Sequence, residues 1–230
     1  MKNAILIFSV VAAAGFLQSC KSAPESDEAK VGEAGIVEEQ ADALVMPINP
    51  GNSSIEWVGT KITSYHNGVI HLKSGDLLVK GNELTGGSFV FDMSTIMVTD
   101  DDMDVAGKSK LTSHLKSEDF FAVETYPEAK FEITSIQPFS KELVKEDDGS
   151  YKEINEYKIA DPTHSITGNL TIRGITKGIT FPALVSVSES GVSAKAKFNF
   201  NRLDWDVKYT GMKDDAISEM VHMGISLSTK

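Results

Sequence analysis

The sequence predicts an all-β protein. Short stretches in which apolar and polar residues alternate recur after residue 50, and turn-forming dipeptides separate them at short intervals. Strands joined by tight turns pair in antiparallel fashion, because parallel neighbours need a long crossover connection. About eight to ten candidate strands occur, with no helical crossover between them. A sandwich and a barrel fit this pattern equally well.

The alternation is clearest in five segments, each of which presents one apolar face. These faces consist of Phe89, Phe91 and Met93; Ile166, Leu170 and Ile172; Ile179, Phe181, Ala183, Val185 and Val187; Ala194, Ala196, Phe198 and Phe200; and Val221, Met223, Ile225 and Leu227. The turn signals between strands are Asn67-Gly68, Gly81-Asn82, Gly86-Gly87, Asp148-Gly149 and Ser190-Gly191. The pairs Asn67-Gly68 and Asp148-Gly149 suit two-residue hairpin turns.

One stretch near the middle of the chain interrupts the β pattern. Leu111 and Leu115 lie one helical turn apart, so both side chains can face the interior. Pro127 forces the preceding residue into an extended conformation and ends any helix. We therefore expect a short helical plug at residues 109–121 that carries aromatic side chains into the fold. His114 on this plug is expected to be structural, with a hydrogen bond to the backbone.

Three motifs resemble those of the YceI-like family. They are His-Leu-Lys-Ser-x-Asp-Phe-Phe at 114–121 with Tyr-Pro-x-Ala-x-Phe at 126–131, then Gly-Asn-Leu-Thr-Ile-Arg-Gly-Ile-Thr-Lys at 168–177, and Asn-Arg-Leu-Asp-Trp at 201–205. The resemblance implies an antiparallel, eight-stranded, lipocalin-like barrel that binds an isoprenoid lipid in a periplasmic or secreted protein. On this ground we expect a YceI-like β-barrel domain at residues 47–230.

Residues 1–19 have the features of a secretory signal peptide. Lys2 precedes an apolar run from Ala4 to Leu17 that is too short to span a membrane. The run ends in Leu-Gln-Ser-Cys, which resembles a bacterial lipobox and predicts acylation of Cys20, the only cysteine of the chain. Two or more acyl chains give stable anchoring. We therefore expect a protein of the bacterial cell envelope that is lipid-anchored at the periplasmic face of a membrane or at the outer membrane.

Residues 20–46 are predicted to form an acidic, disordered tether behind this anchor. The segment holds seven acidic residues, two lysines and no aromatic residue, so it has too little apolar surface to fold. The formal net charge of the whole chain is −11, which disfavours nucleic acid and anionic lipid as partners. The charged segment 140–156 is interpreted as a solvated loop, with a flap or a partner contact at the barrel mouth as the alternative.

The sequence shows no pattern typical of catalysis or metal binding. His66 and His71 would face opposite sides of one strand and could not share a metal. The acidic run at 100–104 begins like a calcium loop, but Val105 and Leu111 stand where such a loop requires glycine and glutamate. We therefore interpret that run as a solvated acidic turn. The sequence predicts no enzyme, no metal and no cofactor other than a bound polyisoprenoid or quinone.

Ten residues are predicted to line the barrel interior because they fall on the apolar faces of its strands. They are Phe89, Phe91, Met93, Leu170, Ile172, Phe181, Phe198, Phe200, Met223 and Ile225. Composition alone favours a filled core, whereas the family resemblance implies a cavity for a long isoprenoid chain. Arg173 is a candidate contact for the head group of such a ligand. Arg202 is expected to pair with Asp204 or Asp206 at the surface.

The leading prediction is a non-enzymatic protein that binds and carries an isoprenoid-like or other long apolar lipid, such as a quinone or a polyprenol. The alternative is a structural or adhesive envelope module whose barrel is filled and whose outer face binds a protein partner. A homodimer is compatible with either function. The sequence leaves the identity and length of the ligand open.

Overall fold

A computed structural model describes residues 23–140 and 156–230. Within these ranges one α-helix, α1 (Val105–Lys116), accompanies eleven strands. The strands are β1 (Lys30–Gly32), β2 (Leu44–Pro47), β3 (Ser54–Lys61), β4 (Tyr65–Lys80), β5 (Glu83–Val98), β6 (Glu128–Pro138), β7 (His164–Ile172), β8 (Ile175–Ser188), β9 (Gly191–Asn201), β10 (Gly211–Met212) and β11 (Asp215–Ser228). The signal-peptide residues, Cys20 and the hairpin predicted at Asp148-Gly149 lie outside the described residues.

Eight of these strands close into an antiparallel barrel. They follow one another in the order β3, β4, β5, β6, β7, β8, β9 and β11, and β11 then pairs with β3. The all-β, eight-stranded, lipocalin-like barrel expected from the sequence is confirmed. A barrel with this number of strands is just wide enough for packed side chains or for one slender ligand.

The alternating apolar faces point into this barrel. On β9, for example, Ala196, Phe198 and Phe200 are buried, while Ser193 and Lys195 are exposed. The apolar faces of the other barrel strands meet them to form one continuous core. The period-two pattern therefore predicts correctly which side of a regular strand such as β9 faces inward.

The helix differs from the predicted plug in its limits. It was expected at residues 109–121, but it begins at Val105 and ends at Lys116. The carboxylate of Asp104 caps its first turn and accepts a hydrogen bond of 2.7 Å from the backbone N–H of Gly107. Residues 117–125 continue as tight turns rather than as helix. The acidic run is therefore not simply a solvated turn, because its last member starts the helix.

Two of the glycine-rich turn signals are not turns. Asn67-Gly68 lies within β4, and the chain reverses instead at residues 62–64. Gly86-Gly87 lies within β5, where the ladder to β4 is irregular. The predicted turn at Gly81-Asn82 is confirmed, and the turn before β9 lies one residue earlier than predicted, at Glu189-Ser190.

The described part of the N-terminal segment is ordered, so the prediction of a disordered tether is wrong for these residues. β1 pairs with β8, and β2 pairs with β4. Between them the backbone of Gly35 exchanges two hydrogen bonds with the side chain of Asn169, at 2.8 and 2.9 Å. Residues 23–47 thus pack along the wall of the barrel. Backbone groups make most of these bonds, which is why side-chain composition did not predict them.

Candidate ligand cavity

An apolar cavity of about 370 Å³ lies inside the barrel. All ten residues that were predicted to face the interior lie on its wall: Phe89, Phe91, Met93, Leu170, Ile172, Phe181, Phe198, Phe200, Met223 and Ile225. The volume falls within the range that is typical of small-molecule sites. Side chains therefore do not fill the barrel completely.

Sequence reasoning missed a second group of wall residues on β3 to β6. They include Trp57, Ile70, Leu77, Ile96, Phe131 and Ile133. The ladder between β4 and β5 is irregular at three places, and each irregularity shifts the alternation of inward and outward side chains. A strict period of two therefore loses the register along these two long strands. The apolar residues of β4, such as Ile70 and Leu77, were the sequence signal that could have indicated these wall positions.

A row of aromatic rings forms one side of the wall. The ring centroids lie 6.0 Å apart for Phe89 and Phe131, 5.6 Å for Phe131 and Phe181, and 4.3 Å for Phe181 and Phe198. Phe200 continues the row and makes an edge contact of 5.1 Å with Trp205, which is completely buried. Offset and edge contacts of this kind stabilise aromatic clusters beyond their buried area.

The helix and the turn that follows it close one end of the cavity. Four apolar side chains of this plug lie on the cavity wall: Leu111, Leu115, Phe120 and Phe121. Leu111 and Leu115 thus both face the interior, as their spacing of one helical turn predicted, although the helix begins earlier than expected. We refer to this end of the barrel as the α1 end.

His114 holds the plug together. Its ring makes edge contacts with Phe120, at 5.0 Å between centroids, and with Tyr209, at 4.8 Å. Its Nε2 lies 2.9 Å from the carboxylate of Asp119. The structural role expected for His114 agrees with these contacts, although its hydrogen-bond partner is a carboxylate rather than the backbone.

Polar groups gather at the same end. Nδ1 of His66 lies 2.8 Å from Oδ2 of Asp100, and this hydrogen bond holds the pKa of the Asp100 carboxyl below its usual range. Asp100 is buried, so the interpretation as a solvated turn is wrong for this residue. His66 lies on the cavity wall while His71 is exposed, as the spacing along one strand predicted.

An ion pair between Lys61 and Asp215 lies at the rim of the α1 end. The hydroxyl of Thr63 donates a further hydrogen bond of 2.9 Å to the same carboxylate. The hydrogen bond from Lys61 is the main reason why the pKa of Asp215 is lowered. These groups give the cavity a charged rim at the α1 end.

The YceI-like domain matches residues 47–229, which is most of the chain and includes every barrel strand. The chain belongs to the YceI-like family. A UPF0312 protein of Pseudomonas putida is 29% identical to it over 122 residues, which is 50% of this chain and 50% of that protein. This YceI-like chain thus spans about half the length of the curated relatives that it matches.

Two solved structures share the fold of this YceI-like protein. BcnA of Burkholderia cenocepacia superposes with a TM-score of 0.57 at 16% identity and covers 79% of this chain and 98% of its own. A domain from Saccharophagus degradans, described as polyisoprenoid-binding, superposes with a TM-score of 0.52 at 12% identity. The match covers 80% of this chain and 98% of that domain. At such low identity the likeness establishes the barrel fold.

Arg202 of this YceI-like domain is buried, and the surface pair with Asp204 or Asp206 that the sequence suggested does not form. Its guanidinium donates to backbone carbonyl oxygens, including that of Ser218 at 2.9 Å and that of Val207. Burial lowers the pKa of Arg202. Arg202 therefore stabilises the chain reversal after β9.

Arg173 is placed outside the cavity wall. It occupies the turn between β7 and β8, where both Arg173 and Gly174 have positive φ angles, of 50° and 73°, as a tight hairpin requires. Its guanidinium donates to the carbonyl oxygens of Glu118 and Phe120 and so fastens the turn after α1. Contact with a ligand head group stays a prediction for Arg173, and its observed role is to hold the plug.

Residues 23–140 and 156–230 contain no group of three histidine, cysteine, aspartate or glutamate side chains placed to hold a metal ion. The same ranges hold no helix with the length and apolar character that crossing a bilayer would need.

Proposed function

We propose that this YceI-like protein is a non-enzymatic carrier of one long apolar lipid of the isoprenoid type, such as a polyprenol or a quinone. The observation that carries the proposal is the unfilled, apolar interior of a closed barrel. The shared fold of a domain described as polyisoprenoid-binding supports the same class of ligand. A filled structural module, the alternative considered from the sequence, would leave no such cavity.

The energetics of burial are sufficient for such a ligand. Removing a chain of about twenty carbons from water contributes ~16 kcal/mol, at ~0.8 kcal/mol per CH₂ group. Ordering a flexible chain and losing its free motion offset about half of this or more. Micromolar to nanomolar affinity is therefore attainable from apolar contact alone, and cavity length and shape would set selectivity.

The distribution of polar groups orients the ligand. Most of the charged and hydrogen-bonding side chains of the wall, such as Lys61, His114 and Asp215, lie at the α1 end, Lys195 lies toward the other end, and the aromatic row is apolar. We place the polar end of the lipid at the α1 end and its chain along the aromatic row. Lys61, His114 and Asp215 already pair with protein partners, so the proposal gives none of them a catalytic role.

Envelope location is a further element of the proposal. The apolar run and the Leu-Gln-Ser-Cys sequence support cleavage before Cys20 and its acylation. Stable anchoring would then follow from two or more acyl chains. Mass spectrometry of the mature N-terminus tests the anchor alone. An unmodified Cys20 would contradict anchoring but would leave the proposal of lipid binding in the cavity unaffected.

Filling the cavity tests the binding proposal. Ala196 is buried on the wall at β9, and Ala196→Trp would place an indole in the space that the lipid chain needs. We expect the affinity for a fluorescent polyene fatty acid to fall at least tenfold, while Ser193→Trp on the exposed face of the same strand leaves it unchanged. Equal binding by both folded variants would contradict a ligand inside the barrel.

A further inference from the structure

The barrel wall has a seam between β8 and β9. These two strands pair only from Ala183 opposite Ala196 to Ser188 opposite Gly191. Toward the α1 end, residues 175–182 of β8 and 197–201 of β9 continue as strands but, among the described residues, do not pair with each other. The ladder that closes the barrel is therefore incomplete along this stretch of the wall.

The N-terminal segment occupies the seam. β1 pairs along its whole length with β8, with Lys30 opposite Thr180 and Gly32 opposite Gly178. On the other side, the N–H of Ala29 donates to the carbonyl oxygen of Asn199 on β9, and the N–H of Asn199 donates to the carbonyl oxygen of Asp27, both at 2.8 Å. Residues 27–32, which we call the stave, thus complete the wall.

The stave belongs to the core rather than to the surface alone. Ala29 is only 2% exposed and lies in the apolar core, and Val31 packs against that core. Gly178 is adapted to this segment, because a Cβ at position 178 would overlap the carbonyl oxygen of Glu33, the residue that follows the stave. The close approach of the two backbones therefore depends on glycine in β8.

The strand within the stave is short compared with its neighbours. β1 is three residues long, whereas β9 pairs with β11 from Ser193 to Asn201. The buried side chains of the stave are those of Asp27 and Ala29, so its release exposes little apolar area. Short, lightly packed segments open at a lower free energy than the core strands around them.

The cavity lies directly behind the seam. Phe181 on β8 and Phe198 on β9 line the cavity and stack across the seam with centroids 4.3 Å apart. The α1 end, in contrast, is closed by the plug that His114 and Arg173 fasten. A long chain that passes through the seam need only separate this pair of rings and displace the stave.

We infer that the stave is a lateral gate, which opens a slot between β8 and β9 through which a long apolar chain moves sideways into the cavity. The inference rests on the proposed carrier function. Sideways passage lets the whole chain leave an apolar phase at once, so no segment of it has to thread lengthwise through the plug. The stave lies a few residues after Cys20 in the sequence, so the proposed anchor would keep the gate close to the membrane.

A reversible disulfide tests the gate. Lys30→Cys with Thr180→Cys, in a chain that also carries Cys20→Ser, places two cysteines opposite each other across β1 and β8. We expect the oxidised protein to take up a fluorescent polyene fatty acid at least tenfold more slowly than the same protein after reduction. The amount bound at equilibrium should be the same in both states.

The matched control is Val45→Cys with Leu78→Cys, a directly opposed pair between β2 and β4 on the same N-terminal segment. Oxidation of this pair should leave the uptake rate unchanged. Conversely, Gly178→Ala should push the stave away and speed uptake. Equal rates in the oxidised and reduced Lys30–Thr180 protein would overturn the gate while leaving the carrier function intact. Absence of equilibrium binding in the reduced protein would instead overturn the carrier function, and the gate with it.

Discussion

The indole ring of Trp57 lies against Gly68, its direct partner across the ladder between β3 and β4. A Cβ at Gly68 would lie 2.7 Å from Cε2 of Trp57 and closer still to the carbonyl oxygen of Met97. This crowding explains why an Asn-Gly pair stands in the middle of a strand. The glycine provides space for a wall residue of the cavity rather than the positive φ of a turn.

Gly68→Ala should therefore destabilise the protein strongly. The added methyl group must displace either the Trp57 ring or the backbone of β5, and overpacking of this kind costs about 3 kcal/mol. Urea unfolding followed by tryptophan fluorescence measures the change. Gly224→Ala is the matched control, because a Cβ there meets only ordinary contacts of 3.7 Å with Glu56, and it should change stability by less than ~0.5 kcal/mol. Similar losses for both variants would contradict the packing argument.

The period of two in inward positions such as Ala196, Phe198 and Phe200 predicted antiparallel strands and their apolar faces, and the resemblance to the YceI-like family implied a barrel rather than a sandwich. It did not predict the ordered N-terminal segment, because that segment is held by backbone bonds and by the side chains of distant residues such as Asn199. It also misread Gly68, since the same dipeptide serves both a hairpin turn and a close packing contact. These errors share one cause: tertiary contacts decide what locally ambiguous residues do.

Asp104→Ala should shorten or fray the first turn of α1. The carboxylate of Asp104 accepts the hydrogen bond of the Gly107 N–H, and loss of such a cap costs about 1 kcal/mol. Thermal unfolding monitored by circular dichroism measures the effect. Asp101→Ala removes an exposed carboxylate from the same acidic run and should be nearly neutral. A larger effect at residue 101 than at residue 104 would refute the capping role.

His222 should make folding stability depend on pH. The imidazole is 3% exposed and its Nδ1 lies 2.9 Å from the side-chain oxygen of Asn199. Burial, aided by the nearby charge of Lys197, lowers the pKa of His222 to about 4. In the unfolded chain this histidine has a pKa of about 6.5. Below that pH the unfolded chain binds a proton at His222, whereas the folded protein keeps the imidazole neutral until the pH approaches 4. Stability is therefore fully present above pH 6.5 and is lost as the pH falls toward 4.

This histidine alone should account for a loss of roughly 2 kcal/mol between pH 7.5 and pH 5. Urea unfolding at the two pH values measures that loss. The variant His222→Gln lacks the titrating group and should show a correspondingly shallower dependence. If the wild type and the variant lose the same free energy of unfolding over this range, then His222 does not cause the pH dependence and the prediction is wrong.

The central claim is that the barrel interior houses one long apolar molecule, and native mass spectrometry of protein purified from its own host tests it most directly. We expect a population whose mass exceeds that of the processed chain by one lipid, and organic extraction should release an isoprenoid-type compound from it. The Ala196→Trp variant purified in parallel should lack that added mass. A wild-type protein that is consistently free of any lipid under these conditions would contradict the account.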